Sequence, residues 1–243
     1  MQINDILYTP LDVPNKPEFD INQLKNWLTK NYQPLSQYRE MLAGNSFTAE
    51  KVFENYPWNL TVAYFKLFDD QGPGWLGNFD QEFPELSKHM YESFNLSIDD
   101  IGLVIFLPVK QGHTGMGFWH NDPEWYGLRH YFVFDNPETN KLLMKRTKIA
   151  YDERPNFTIP IDENEHLQDE IIECKILSPT QSFFLNNVRS VHATNTITPD
   201  VSRIAAIVTG KFGKRKEMQE KIESLIVRSA EKYKDYAVLW DNK

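Results

Sequence analysis

Two histidines and one aspartate stand out by residue type and spacing. His120 and Asp122 sit two positions apart in the segment F-W-H-N-D-P-E. In an extended segment, residues i and i+2 point to the same side. An imidazole and a carboxylate can then reach one metal ion from a single strand or its end. A third ligand has to come from elsewhere, and His192 is the candidate. It follows the strand-like F-F-L-N-N by a short turn and precedes another strand. Two imidazoles and one carboxylate on one face of an octahedron leave three positions open for reactants, the arrangement that suits metal-assisted oxygen chemistry.

The H-x-D pair alone is a weak signal. Six histidines and sixteen aspartates in 243 positions give about 0.4 such pairs by chance, so the motif needs context. Arg203 supplies it, eleven residues after His192 and at the start of the apolar run R-I-A-A-I-V-T. A basic residue in an apolar strand needs an anionic partner. A dicarboxylate cosubstrate would be one, held by two parallel hydrogen bonds from the guanidinium. By alternation Arg203, Ala205 and Ile207 share a face, and the small Ala205 leaves room beside the acid. Arg129, nine residues after His120, is the second basic residue in a strand-like run. A regular strand puts Tyr131 and Val133 on its face, and two arginines could serve two carboxylates. Plainer explanations stand beside these. Either arginine can pair with a core acid or face solvent at a sheet edge. Asp122-Pro123 can open a turn.

The elements that must position these residues are mostly strands. From Gly102 onward the chain reads as short strand candidates: Leu103 to Val109, Leu128 to Asp135, Lys141 to Arg146, Glu170 to Leu177, Gln181 to Leu185 and Arg203 to Thr209. Turn signals such as Asn136-Pro137 and Ser178-Pro179 separate them. Few helices intervene, which predicts a sandwich or jelly roll and not a βαβ sheet. Pro10, Pro14 and Pro17 predict an extended N-terminal arm laid over the body. Asp20 can cap a helix to about Asn31, with Ile21, Leu24 and Leu28 on one face. Thr48 with Lys51 to Tyr56 suggests one or two helical turns, and Thr61 to Phe68 has strand chemistry. The Gly-rich stretch Gln71 to Asn78 is either a surface turn or a lid. Pro84 opens a helix to Phe94, and Asp152 to Gln168 reads as a polar loop. After Gly213, the stripe Met218, Ile222, Leu225, Ile226 and Tyr233 predicts a C-terminal helix packed on the sheet.

These segments resemble a known family. F-W-H-N-D with L-R-H-Y-F-V-F, then F-F-L-N-N-V-R-S-V-H-A-T-N and S-R-I-A-A-I-V, are similar to the Fe(II)- and 2-oxoglutarate-dependent oxygenases. The likeness is strongest to the aspartyl/asparaginyl β-hydroxylase branch, which includes some free-amino-acid (proline) hydroxylases. It covers roughly Gly102 to Phe212. The resemblance implies a mainly β fold, a double-stranded β-helix (cupin-like jelly roll), with N-terminal helices and a C-terminal helix packed on the sheet. It implies one oxygenase domain over 1–243: a helical support over 1–100, the jelly-roll core over 101–212 and the C-terminal helix over 213–243. Iron ligands are implied at His120, Asp122 and His192. Arg203 is implied to hold the distal carboxylate of 2-oxoglutarate, with Arg129 and Tyr131 beside the cosubstrate. Asp122 departs from those β-hydroxylases that lack the carboxylate ligand, and a complete triad favours hydroxylation over halogenation. Ala205 stands where many relatives carry a Ser or Thr that helps hold the cosubstrate.

Composition bounds the rest. The chain has 34 acidic and 26 basic side chains, a net charge of −8, which argues against general affinity for nucleic acid. No apolar run approaches the roughly 20 residues of a membrane span, and the first residues lack the features of a secretory signal. One cysteine, Cys174, is read as pointing to a reducing, cytoplasmic compartment. The expected partners are O2 and a small-molecule or peptide substrate. Trp119, Trp125 and Tyr126 can wall a pocket or simply pack the sheet. His113 can line its entrance. Asn186, Asn187 and Asn195 can support ligands by hydrogen bonds or form loops. Two alternatives to an enzyme remain: a non-catalytic cupin-like metal- or ligand-binding protein, and a metal-free jelly-roll interaction module. Lys211 to Lys216 reads as a solvated helix start.

Overall fold

The structure, a computed structural model, describes residues 1–31, 33–34, 59–66, 69–70, 74–108, 126–134, 142–146, 170–178, 180–186, 190–194, 203–211 and 213–240. Among them, eleven strands form two antiparallel sheets. The larger contains β1 (Ile6–Pro10), β2 (Gln33–Pro34), β3 (Asn59–Phe65), β4 (Ile101–Pro108), β5 (Tyr126–Phe134), β8 (Ser182–Asn186), β10 (Arg203–Gly210) and β11 (Val238–Leu239), in the order β11-β1-β8-β5-β10-β4-β3-β2. The smaller contains β6 (Leu142–Arg146), β7 (Ile172–Cys174) and β9 (Ser190–Thr194), in the order β7-β6-β9.

The larger sheet is buried on both faces, and strand alternation sorts its residues between two cores. Phe183 and Leu185 join Leu7, Tyr8 and Ala205 against Leu142, Met144 and Cys174 of the smaller sheet. Phe184, Ile204, Ala206 and Val208 point the other way, into a core shared with the helices. Burial on both faces explains why I-G-L-V-I-F-L and I-A-A-I-V show no polar alternation.

Among the described residues, three longer helices and the short helix Phe79–Glu82, which buries Phe79, cover the outer face. The first, Ile21–Lys30, is capped by Asp20, whose Oδ1 accepts from the Asn22 amide at 2.8 Å. It buries Leu24, Trp27 and Leu28, while Ile21 is only partly covered. Pro84–Glu92 starts with its proline, as predicted. The C-terminal helix, Arg215–Lys232, buries Met218, Ile222, Leu225 and Ile226. Tyr233 caps it instead of extending the stripe. No helix among the described residues is long and apolar enough to cross a membrane.

Three expectations change. The first residues are not an arm: Ile6–Pro10 is a strand inside the larger sheet, flanked by β8 and β11. Ile6, Leu7 and Tyr8 are fully buried, and Pro10 ends the strand, so the prolines follow it without interrupting it. The first hundred residues therefore supply β1, β2 and β3 to the sheet as well as helices. The predicted strand Glu170 to Leu177 is only three residues long, with Ile171 and Leu177 exposed on either side. Position 133 does not share the face of Arg129. β10 stays in step with β4 from Ile204 to Thr209. Against β5 its register shifts between Ile204↔Val133 and Ala205↔Tyr131, leaving Phe132 as an extra residue. That bulge puts positions 129 and 131 on the Ala205 side and position 133 on the Ile204 side.

Of the Gly-rich stretch, Gly74 to Asn78 is tied to β3 by Phe65 N to Gly74 O (2.7 Å) and Leu76 N to Ala63 O (2.8 Å). Residues 71–73, the predicted helical turns near Lys51 and the polar stretch from Asp152 to Gln168 lie outside the described residues.

Candidate functional site

Arg129 and His192 belong to different sheets and meet in the space between them. Arg129 lies on β5, level with Phe183 of β8 and Ile207 of β10. It is only 7% exposed. His192 lies on β9 opposite Met144 of β6 and is 2% exposed. Arg129 Nη2 donates to His192 Nε2 at 3.2 Å. A guanidinium has only donors, so Nε2 accepts and the imidazole proton sits on Nδ1. The guanidinium carbon also lies 6.0 Å from the centre of the Phe183 ring, within reach of a cation–π contact.

Local sequence explains how His192 is aimed inward. The chain passes from the larger sheet to the smaller between Asn186 and Ser190. Ser190 Oγ, fully buried, donates to the Asn186 carbonyl at 2.6 Å and pins that crossing. His192, two residues on, takes the same face as Ser190. It stands inside strand β9 rather than ahead of the next strand. Asn186 Nδ2 lies 3.5 Å from the Ile6 carbonyl.

The other predicted residues fall as follows. Arg203 opens β10, paired with Phe134, and Tyr131 pairs with Ala205. Tyr126 opens β5. His120 and Asp122 lie outside the described residues, as do His113, Trp119, Trp125, Asn187 and Asn195. Among the described residues, no three His, Cys, Asp or Glu side chains cluster closely enough to hold a metal ion. The sequence named both Arg129 and His192 but gave no sign of their direct contact, nor of Phe183 beneath the guanidinium. Cys174 lies on the same core. Burial, helped by Glu173 and opposed by Arg129, pushes its thiol well above the usual range, so it stays a protonated, inert packing group.

His130, one residue along β5, faces the helices instead and is fully buried. Its Nδ1 lies 2.7 Å from Ser182 Oγ and its Nε2 3.3 Å from the Met90 carbonyl. The carbonyl only accepts, so Nε2 donates and Nδ1 accepts from the serine hydroxyl. Phe94 stacks on the ring at 4.4 Å, and the His89 ring is 5.2 Å away. Burial first, then the charges of Lys16 and His89, hold His130 well below the ordinary value of 6.5. Burial and Lys16 lower His89 to about 4. The unfolded chain takes up these protons near 6.5, before the folded one does. The stability from keeping them neutral is complete above 6.5 and is lost as pH falls toward 4. The thermal midpoint is expected to drop steadily over that interval, and more shallowly in His130→Gln. Equal slopes for the two proteins would count against this account.

No family model matches the chain, and no curated protein matches it. Solved structures give distant likenesses. EvdMO1 has a TM-score of 0.41 at 13% identity, over 87% of this chain and 49% of that one. The chain thus spans about half of EvdMO1's length. SnoK, a non-heme alpha-ketoglutarate-dependent carbocyclase from nogalamycin biosynthesis, has a TM-score of 0.43 at 9% identity, over 85% and 80% of the two chains. EctD from S. alaskensis, solved with 2-oxoglutarate and 5-hydroxyectoine, has a TM-score of 0.41 at 12% identity, over 85% and 73%.

Proposed function

We propose that the chain is an Fe(II)- and 2-oxoglutarate-dependent dioxygenase that hydroxylates an unactivated C–H bond of an amino acid, peptide side chain or small metabolite. In this reading the two facing sheets form a double-stranded β-helix, and residues 1–243 act as one oxygenase domain. The observation that carries the proposal is the buried meeting of Arg129 and His192 between the sheets.

The residues fit the cofactors in two respects. His192 Nε2 is held unprotonated and faces the interior, the state a metal ligand requires. Beside it stands a guanidinium suited to a carboxylate. His192, His120 and Asp122 would hold the iron. Alternation along β10 from Ala205 gives position 203 the same face, so Arg203 would bind the distal carboxylate of 2-oxoglutarate. Arg129 would sit beside the same cosubstrate with Tyr131. When bound, iron and 2-oxoglutarate supply oxygen activation coupled to decarboxylation of the keto acid. The protein's own part is to bind, orient and exclude water. Ala205 leaves space at the anion, Phe183 supports the Arg129 guanidinium, and Leu142, Met144 and Leu185 keep the surroundings dry. A dry site strengthens each charge interaction within it.

The test is anaerobic loading with Fe(II) and 2-oxoglutarate, exposure to air with a panel of amino acids and peptides, and assay of succinate. A product one oxygen heavier, formed with succinate, is the expected result. Metal or 2-oxoglutarate binding with no succinate from any substrate would instead support the non-catalytic cupin-like protein.

A further inference from the structure

We infer that Arg129 is a resident cation that occupies the metal's bond direction on His192 and must be displaced when the metal binds. The inference rests on the proposed iron site and goes beyond it, because it concerns the protein before metal arrives.

The argument is geometric. An imidazole Nε2 has one lone pair. In the structure that lone pair accepts from Arg129 Nη2 at 3.2 Å. A metal on the same nitrogen would sit about 2.0–2.1 Å away along the same direction. That is little more than 1 Å short of the guanidinium nitrogen, so the two cannot be present together. Charge opposes them as well. A dication and a guanidinium within a few ångströms repel strongly where water is scarce, and both side chains here are buried.

Arg129 has somewhere to go. Its side chain is long, and its guanidinium already lies over Phe183 at 6.0 Å. A swing toward that ring would clear Nε2 while keeping a favourable contact for the cation. The Nη2 donor released from His192 then becomes available to a carboxylate arriving with the metal. The hydrogen bond therefore does two jobs in the metal-free protein. It keeps His192 neutral and correctly turned, and it raises the threshold for a bare cation to bind.

The test is calorimetric titration of the metal-free protein with Mn(II) alone, without cosubstrate. Arg129→Met removes the charge and keeps a long apolar stem. It is expected to bind Mn(II) at least about tenfold more tightly than the wild type, since the competing cation is gone. Arg129→Lys keeps a charge and is expected to stay within about threefold of the wild type. Arg129→Gln, neutral and polar, replaces the Met variant if that one unfolds. A folded Met or Gln variant that binds Mn(II) no more tightly than the wild type overturns the inference but leaves the iron site standing. Failure of every protein, wild type included, to bind Mn(II) overturns both.

Discussion

His192→Ala is expected to abolish 2-oxoglutarate turnover, lowering succinate release by at least about 10³-fold. Groups that merely support a metal ligand are each worth about 10–100-fold, and His192 is proposed as a ligand itself. His120→Ala and Asp122→Ala are expected to do the same. The His192 variant carries a second cost, because Arg129 loses the imidazole acceptor at 3.2 Å. Removing one partner of a buried hydrogen bond costs about 1–3 kcal/mol. His192→Gln separates the two effects. Its amide oxygen can accept from the guanidinium, so stability should largely return while turnover should not. Turnover at wild-type levels in His192→Ala would remove the assignment altogether.

Trp27→Ala should give the largest loss of stability, about 3–5 kcal/mol for deleting a buried tryptophan. Trp27 is 2% exposed. It meets Phe79 and Phe106 edge-on, with ring centres 4.9 and 6.4 Å away. Its Nε1 donates to the Gly77 carbonyl at 2.8 Å. Gly77 has φ +58, and a Cβ there would come within 2.5 Å of Asn31 Oδ1, so only glycine suits this approach. One side chain thus joins the first helix, the Gly-rich turn and the larger sheet. Denaturant midpoints measure the loss, and Trp27→Phe should give a much smaller one. A change below about 1 kcal/mol in Trp27→Ala would show that the helix contributes little to the core.

The strands that carry Arg129 and Arg203 were legible because short apolar runs bounded by turn signals have few alternatives. The helix at Asp20 was legible from its cap, and the C-terminal helix from its stripe. β1 was not, because three prolines close behind it outweighed Ile6, Leu7 and Tyr8, whose partners lie far along the chain. The face of position 133 was missed for a different reason. A bulge leaves no mark in composition, yet it reverses every residue beyond it. At the site, residue types nominated Arg129 and His192 separately. Their contact depends on how one sheet lies over the other, which neither alternation nor spacing encodes.

The position of β1 bears on how the polypeptide is made. The Tyr8 hydroxyl donates to the Lys175 carbonyl, 167 residues later, and Leu185 and Val238 are the residues Tyr8 pairs with across the sheet. At a ribosomal rate of about 5–20 residues per second, roughly 10–30 s pass before any of these partners leaves the exit tunnel. For that interval Ile6, Leu7 and Tyr8 form a nascent sticky segment with nothing to pair against. Closure of the larger sheet is then a late step, and until it happens this segment is the stretch through which newly made chains would cling to one another.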